Sequence, residues 1–164
     1  LIFSERVIVL GYALFLFLLY TFYMDLKIKK LHQCAKIPTF AYDTDAGMDF
    51  YTLEAFTITS MARVQVGTGI AVQIPEGYVG LVWDKSGLSH KKGLKTLGGV
   101  IDAGYRGEVF IGVINLSEEP ITFEAGDKVA QMLIQKVEYP NIVEVEELSD
   151  ADRGTGAFGS TGAK

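Results

Sequence analysis

Gly98-Gly99-Val100-Ile101-Asp102-Ala103-Gly104-Tyr105-Arg106-Gly107-Glu108-Val109-Phe110-Ile111-Gly112-Val113-Ile114-Asn115 is the stretch on which the reading of this chain turns. Two extended runs, Val100-Ile101 and Glu108 to Ile114, flank a tight turn at Ala103-Gly104. The second run is dense in β-branched and aromatic residues, which predicts a strand. Asp102 closes the first run and Tyr105 stands just past the turn. Glycines at 98, 99, 104 and 107 allow the backbone close to whatever sits there. A hairpin with a bare main-chain edge, one carboxylate and one ring suits a flat polar ligand. From these residues alone the competing reading is an ordinary hairpin whose turn happens to contain Asp and Tyr.

The flanking sequence continues the pattern of strands and turns. Leu26, Ile28 and Lys29-Lys30-Leu31 partly alternate, as in a half-buried edge strand with lysines facing water. Arg63 to Ile74 reads as two short alternating runs around Gly67, stopped by Pro75 and Gly77. Tyr78 to Asp84, Ile121 to Phe123 and Lys128 to Val137 follow in the same manner. No window after residue 23 gives an amphipathic helix of three or more turns. Short strands with frequent turn signals predict an all-β sandwich or barrel. After the acidic run Glu144 to Asp152 the chain becomes glycine-rich and loses hydrophobic periodicity, so the domain edge is placed near Asp150. The expected division is an N-terminal extension over 1–23, a β domain over 24–150 and a C-terminal arm over 151–164.

Composition bounds the function. At 164 residues the expectation is one domain with a real core. A net charge of −5 argues against sequence-independent nucleic-acid binding, which needs a basic face. The single cysteine, Cys34, cannot form an internal disulfide, and with only His32 and His90 beside it no four-ligand zinc set exists. Any metal would be a hard ion held by oxygen. Val7 to Tyr23 carries no charge and stands at the short end of the ~17–25 residues that span a bilayer. Arg6 on one side and Lys27, Lys29 and Lys30 on the other would place the domain in the cytoplasm. Three readings stay open for 1–23: an upstream extension outside the working protein, a membrane anchor at 7–23, or a peripheral or cleaved segment. The last lacks a small-residue cleavage site.

Four further motifs stand beside the opening stretch. Asp45-Ala46-Gly47-Met48-Asp49 is a loop-to-strand junction with two acids. Lys85-Ser86-Gly87-Leu88 follows a strand and offers a cation, a hydroxyl and an open amide. Gly126-Asp127-Lys128-Val129-Ala130-Gln131 enters another strand with a basic residue and an amide side chain. The tail Arg153-Gly154-Thr155-Gly156-Ala157-Phe158-Gly159-Ser160-Thr161-Gly162 has too few apolar groups to fold alone, yet carries an Arg, a Phe and hydroxyls among glycines. It is not a Walker loop, since no Gly-Lys-Ser/Thr ending and no helix follow. Each motif alone could be an ordinary turn, strand entry or polar tail.

Taken in order across nearly all of Met24 to Lys164, the five segments resemble the trimeric deoxyuridine triphosphatases (dUTPases). Met24-Asp25-Leu26-Lys27-Ile28 is similar to the first strand of soluble members. The resemblance implies an all-β fold, a β-barrel or jelly roll with a flexible C-terminal arm, and hydrolysis of dUTP to dUMP and pyrophosphate with Mg²⁺ by a ring of three copies with shared active sites. It assigns Asp102 the activation of water, Gly99, Val100 and Ile101 the reading of uracil, and Tyr105 contact with deoxyribose. Asp49 would meet Mg²⁺ through water, while Lys85, Ser86, Gly87 and Gln131 position phosphates. Arg153, Phe158, Gly159 and Ser160 would close the site, with Arg153 on the terminal phosphate and Phe158 on the base. Three departures from the family pattern occur: Lys85 where Arg is usual, Thr96 where many relatives carry Asn, and Ala157 in place of a Gly. A deoxycytidine triphosphate deaminase of the same fold, and a nucleotide-binding module without turnover, are the alternatives.

Overall fold

The computed structural model describes residues 24–157. The apolar segment 7–23 and the arm residues Phe158, Gly159 and Ser160 lie outside that range. Among the described residues no helix is long and apolar enough to cross a membrane.

Among the described residues, ten strands and one short helix make up the regular structure. They are β1 (Lys27–Lys30), β2 (Met48–Tyr51), β3 (Phe56–Ile58), β4 (Arg63–Gln73), β5 (Tyr78–Trp83), α1 (Ser86–Lys92), β6 (Leu94–Leu97), β7 (Val100–Ile101), β8 (Glu108–Asn115), β9 (Ile121–Phe123) and β10 (Lys128–Lys136). All pairings are antiparallel. One sheet has the order β1-β4-β8-β6, a second β2-β10-β5-β7, and β3-β9 form a two-stranded ribbon. The sheets pack in the manner of a jelly roll and do not close into a barrel. Strand β8 shows why: Val109, Ile111, Val113 and Asn115 point inward, and Glu108, Phe110, Gly112 and Ile114 point outward. Phe50 and Met132 of the second sheet meet Ile70, Ile111 and Val113 of the first in one core. As its alternation predicts, β1 is an edge strand with Ile28 half-buried between exposed lysines.

Three local readings are corrected. The first is the hairpin. Val100-Ile101 pairs with Leu81 and Gly80 of β5, while Glu108–Asn115 lies between β4 and β6 in the other sheet. The turn, closed by the Tyr105 amide donating to the Asp102 carbonyl at 3.0 Å, therefore carries the chain from one sheet to the other. Gly98 and Gly99, with φ of 68° and 112°, swing the chain out of β6 toward the β5 edge, a path closed to side-chain-bearing residues. The second is the break at Gly67, which is a bulge inside one eleven-residue strand, with the register shifting between Gly67 and Ala71. The third is Lys85-Ser86-Gly87, whose last two residues open α1 rather than lie in a turn; Gly93 in the left-handed region ends that helix after a basic last turn.

One buried polar residue organises the end of β8. Asn115 is 0% exposed; its Nδ2 donates to the carbonyls of Ile58 (3.1 Å) and Glu119 (2.8 Å), and its Oδ1 accepts from the Ser117 amide and hydroxyl. Asn115→Ala strands the Ile58 carbonyl in the interior and removes the anchor of the part-buried turn at Ser117 and Glu119. It is expected to cost about 3 kcal/mol in chemical denaturation; a variant within error of wild type would show that water replaces the side chain freely.

Candidate active site

The first cluster gathers around Asp49. Strand β2 runs beside β10, which puts Asp49 opposite Gln131, and Gln131 in turn opposite Trp83 of β5. Lys85 stands two residues past the end of β5, and Lys128 opens β10. Asp49 is 2% exposed. The Lys85 ammonium donates to its Oδ1, and Lys128 Nζ lies 2.6 Å from Oδ2. That second pair has the distance of a hydrogen bond but not its angle, so Oδ2 is buried without a hydrogen-bond partner. Burial pushes the carboxyl up, but Lys128 and Lys85 outweigh it and hold Asp49 below the usual carboxylate range. The same carboxylate raises Lys128 above the ordinary lysine value. Two ammonium groups against one carboxylate leave the cluster one positive charge in excess.

Gln131 is fixed from two sides. Its Nε2 donates to the Asp84 carbonyl at 2.8 Å, and a Cβ at Gly47 would stand 2.5 Å from its Oε1, so the side chain in this rotamer occupies the space that the bare Gly47 leaves. Ser86 and Gly87 are exposed, and nothing lies within 4 Å of where a Gly87 side chain would be. The cluster presents cations, a hydroxyl and open backbone to one side, a set suited to phosphate oxygens.

The second cluster lies along β7. This strand ends its sheet, so its outer edge is unpaired among the described residues. Val100 is 67% exposed. The Gly99 carbonyl accepts from the Val82 amide at 2.8 Å and is thus committed to β5. Asp102 is exposed on the following turn and lines a groove of about 760 Å³ with Tyr78, Leu81, Val100, Gln135 and Tyr139. Tyr105, 41% exposed, donates its hydroxyl to the Glu108 carbonyl at 2.8 Å. Arg106 staples the turn by donating to the Ala103 and Tyr105 carbonyls. A free main-chain edge, a solvent-facing carboxylate and a fixed ring together can hold a base and sugar and accept a proton beside them.

A sequence profile of the dUTPase family matches residues 33–162. The chain belongs to the dUTPase family. It is 44% identical over 138 residues to the deoxyuridine 5′-triphosphate nucleotidohydrolase of Nocardia farcinica, covering 82% of this chain and 84% of that protein. It is 46% identical over 143 residues to the enzyme of the same name from Corynebacterium jeikeium, covering 84% and 92%. Among solved structures, Staphylococcus bacteriophage 80alpha dUTPase with dUPNHPP superposes with a TM-score of 0.80 at 32% identity, covering 84% of this chain and 98% of that one.

Within this dUTPase fold the two clusters do not meet on one chain. The phosphate-type residues reach β10 at Gln131, and the Asp102 groove reaches it at Gln135, roughly 13 Å further along the strand. No single water spans that gap. Arg153 is also apart: its Nε donates to the Gly156 carbonyl at 3.0 Å, and among the described residues it hydrogen-bonds neither cluster.

Sequence reasoning missed Asp84. Its Oδ1 accepts from the Thr96 amide and hydroxyl, both at 2.7 Å, and Lys95 donates to its Oδ2 at 2.8 Å. Thr96, which stands where many dUTPases carry Asn, thus faces Asp84 and ties β6 to the end of β5. No short-range pattern announces this, because helix α1 separates the partners. Burial pushes the Asp84 carboxyl up, yet Lys95 and Thr96 prevail and lower it. A carboxyl lowered by folding stabilises above its unfolded value and loses that contribution as protons bind. The melting temperature is expected to fall as the pH drops below about 4, and Asp84→Asn, which leaves nothing to titrate there, should flatten that fall. An identical slope in the variant would remove Asp84 from the acid response.

Proposed function

We propose that the chain hydrolyses dUTP to dUMP and pyrophosphate. The supporting observation is the division of its site residues into a base-and-sugar cluster at β7 and a cationic cluster at Asp49, two halves matching the two halves of a nucleoside triphosphate. Asp102 accepts a proton from a water as that water attacks the α-phosphorus; the bond from α-phosphorus to the bridging oxygen breaks, and pyrophosphate leaves. The unpaired edge of Val100 and Ile101 receives the uracil, with Gly99 turning the chain into that edge, and Tyr105 packs against the deoxyribose. Lys85, Lys128, Ser86, Gly87 and Gln131 hold phosphate oxygens and offset their charge. Lys85 does this as a point charge, without the bidentate grip of an arginine.

The chemistry of the Asp49 cluster fits a magnesium ion that keeps its water. Asp49 Oδ2 is a buried oxygen ion-paired to Lys128 outside hydrogen-bond geometry, so it retains a lone pair for such a water, and among the described residues no group of three or more His, Cys, Asp or Glu forms a protein-only cage. A triphosphate would have to provide the other oxygens, as is usual for this ion. When bound, Mg²⁺ neutralises the phosphates and eases approach of water. A related dUTPase, from phage phi11 of S. aureus, coordinates a structural Mg(II) ion.

On this reading the site lies in a homotrimer with 24–150 as the ring-forming domain, supported by Arg153, which hydrogen-bonds neither cluster of its own chain among the described residues. The arm over 151–164 then closes the site, with Arg153 on the terminal phosphate and Phe158, Gly159 and Ser160 over the nucleotide. Segment 1–23 takes no part in this chemistry, and the domain works in the cytoplasm. The test is pyrophosphate release from dUTP, UTP, dTTP and dCTP, each with and without Mg²⁺. Rapid release from dUTP alone, dependent on Mg²⁺, is expected. Ammonia from dCTP in place of pyrophosphate would make the chain a deaminase, and binding of dUTP without either product would make it a binding module.

A further inference from the structure

Tyr105 sits on a solvent-facing turn, where a free tyrosine samples several rotamers, yet here two neighbours fix it. A Cβ built at Gly107 would lie 2.5 Å from Tyr105 Oη, 2.7 Å from Cζ and 3.1 Å from Cε2, so the phenol end of the ring rests directly over the bare α-carbon of Gly107. The Tyr105 hydroxyl donates to the Glu108 carbonyl at 2.8 Å. That carbonyl is itself anchored: Glu108 Oε1 accepts from the Gly69 amide at 2.7 Å, inside the β4 bulge. The same oxygen would stand 3.2 Å from a Cβ at Gly67, so the bulge leaves room for the carboxylate by having no side chain there.

From this geometry we infer that Gly107 is a positioning residue for sugar selection: its missing side chain seats the Tyr105 ring, and Glu108 locks the ring's hydroxyl to the β4 bulge. The inference rests on the reading that Tyr105 meets the deoxyribose. Gly107 is not among the glycines with positive φ, so its backbone accepts a side chain without strain. What Gly107→Ala cannot do is keep the ring where it is. The methyl group must push the phenol outward, which breaks the bond to Glu108 and unseats a surface that is otherwise held ready before the nucleotide arrives.

The experiment is a double-mutant cycle on the ratio of kcat/KM for dUTP to that for UTP, in wild type, Gly107→Ala, Tyr105→Ala and the double variant, with thermal melts of each. Gly107→Ala is expected to narrow the ratio about tenfold, the worth of a methyl-sized misfit, while the double variant narrows it no further than Tyr105→Ala alone. A wild-type ratio in Gly107→Ala beside a narrowed ratio in Tyr105→Ala would overturn the role of Gly107. So would a further narrowing by Gly107→Ala in the Tyr105→Ala background, since that effect could not run through the ring. An unchanged ratio in Tyr105→Ala would take sugar selection away from Tyr105 itself, sinking the functional reading of that residue and the inference with it. If Gly107→Ala does not fold, Tyr105→Phe reads the same anchor from the other side. Losing the hydroxyl held by Glu108 should narrow the ratio about fivefold, and no change would overturn the lock.

Discussion

Asp102→Asn should lower kcat for dUTP by roughly 10²–10⁴ while leaving the nucleotide bound. Asparagine keeps the shape of aspartate and loses only the ability to take a proton from water. The substitution is clean because of where Asp102 sits: its side chain is exposed, and the contact that shapes the turn runs through its carbonyl to the Tyr105 amide. Thermal melts should therefore match wild type. Turnover is followed by pyrophosphate release, and binding by calorimetric titration of the variant with dUTP. Wild-type turnover in this variant would strip Asp102 of its role as base.

The second large effect is an activity that returns when two inactive chains are combined. One chain is Asp102→Asn with its arm intact; the other stops after Asp152 and keeps Asp102. Arg153 bonds only its own arm among the described residues, and it hydrogen-bonds neither cluster, which is the arrangement expected if the proposed site draws on several copies. If base and arm of one site came from the same chain, every site in a mixed ring would carry a defect and activity would stay at background. If they come from different chains, an equal mixture refolded together pairs an intact base with an intact arm in roughly a quarter of sites. Background activity in mixed rings verified by mass would mean that each chain closes its own site.

Much of this was readable before the structure because it was local. Strand β8 follows from its density of β-branched and aromatic residues, β5 and β10 from short alternating runs between turn residues, and β1 from lysines flanking Ile28. The motif residues Asp49, Lys85, Asp102, Tyr105 and Gln131 were likewise visible as residue types in order. What escaped was non-local. Val100-Ile101 is too short to reveal its partner, and it pairs back across α1 and β6 with Gly80-Leu81, not forward with β8. Strands β2, β3 and β6, of three or four residues each, are too short for a period to emerge. The two lysines on Asp49 and the Thr96–Asp84 pair depend on sheet register. So does the distance between the two halves of the site, which only the placement of β10 reveals.

The brevity of β7 has a further consequence. An unpaired sheet edge is ordinarily a hazard, since it can recruit a strand from another molecule and seed aggregation. Here the open edge is two residues long, bounded by Gly98-Gly99 before it and by the Asp102 turn after it. In the proposed reading those few main-chain groups receive one base, and they are too few to zip up with a foreign strand. The exposed charge of Asp102 at its end discourages extension further. A sticky edge can thus be left uncovered, ready for a nucleotide, without making the protein prone to polymerise.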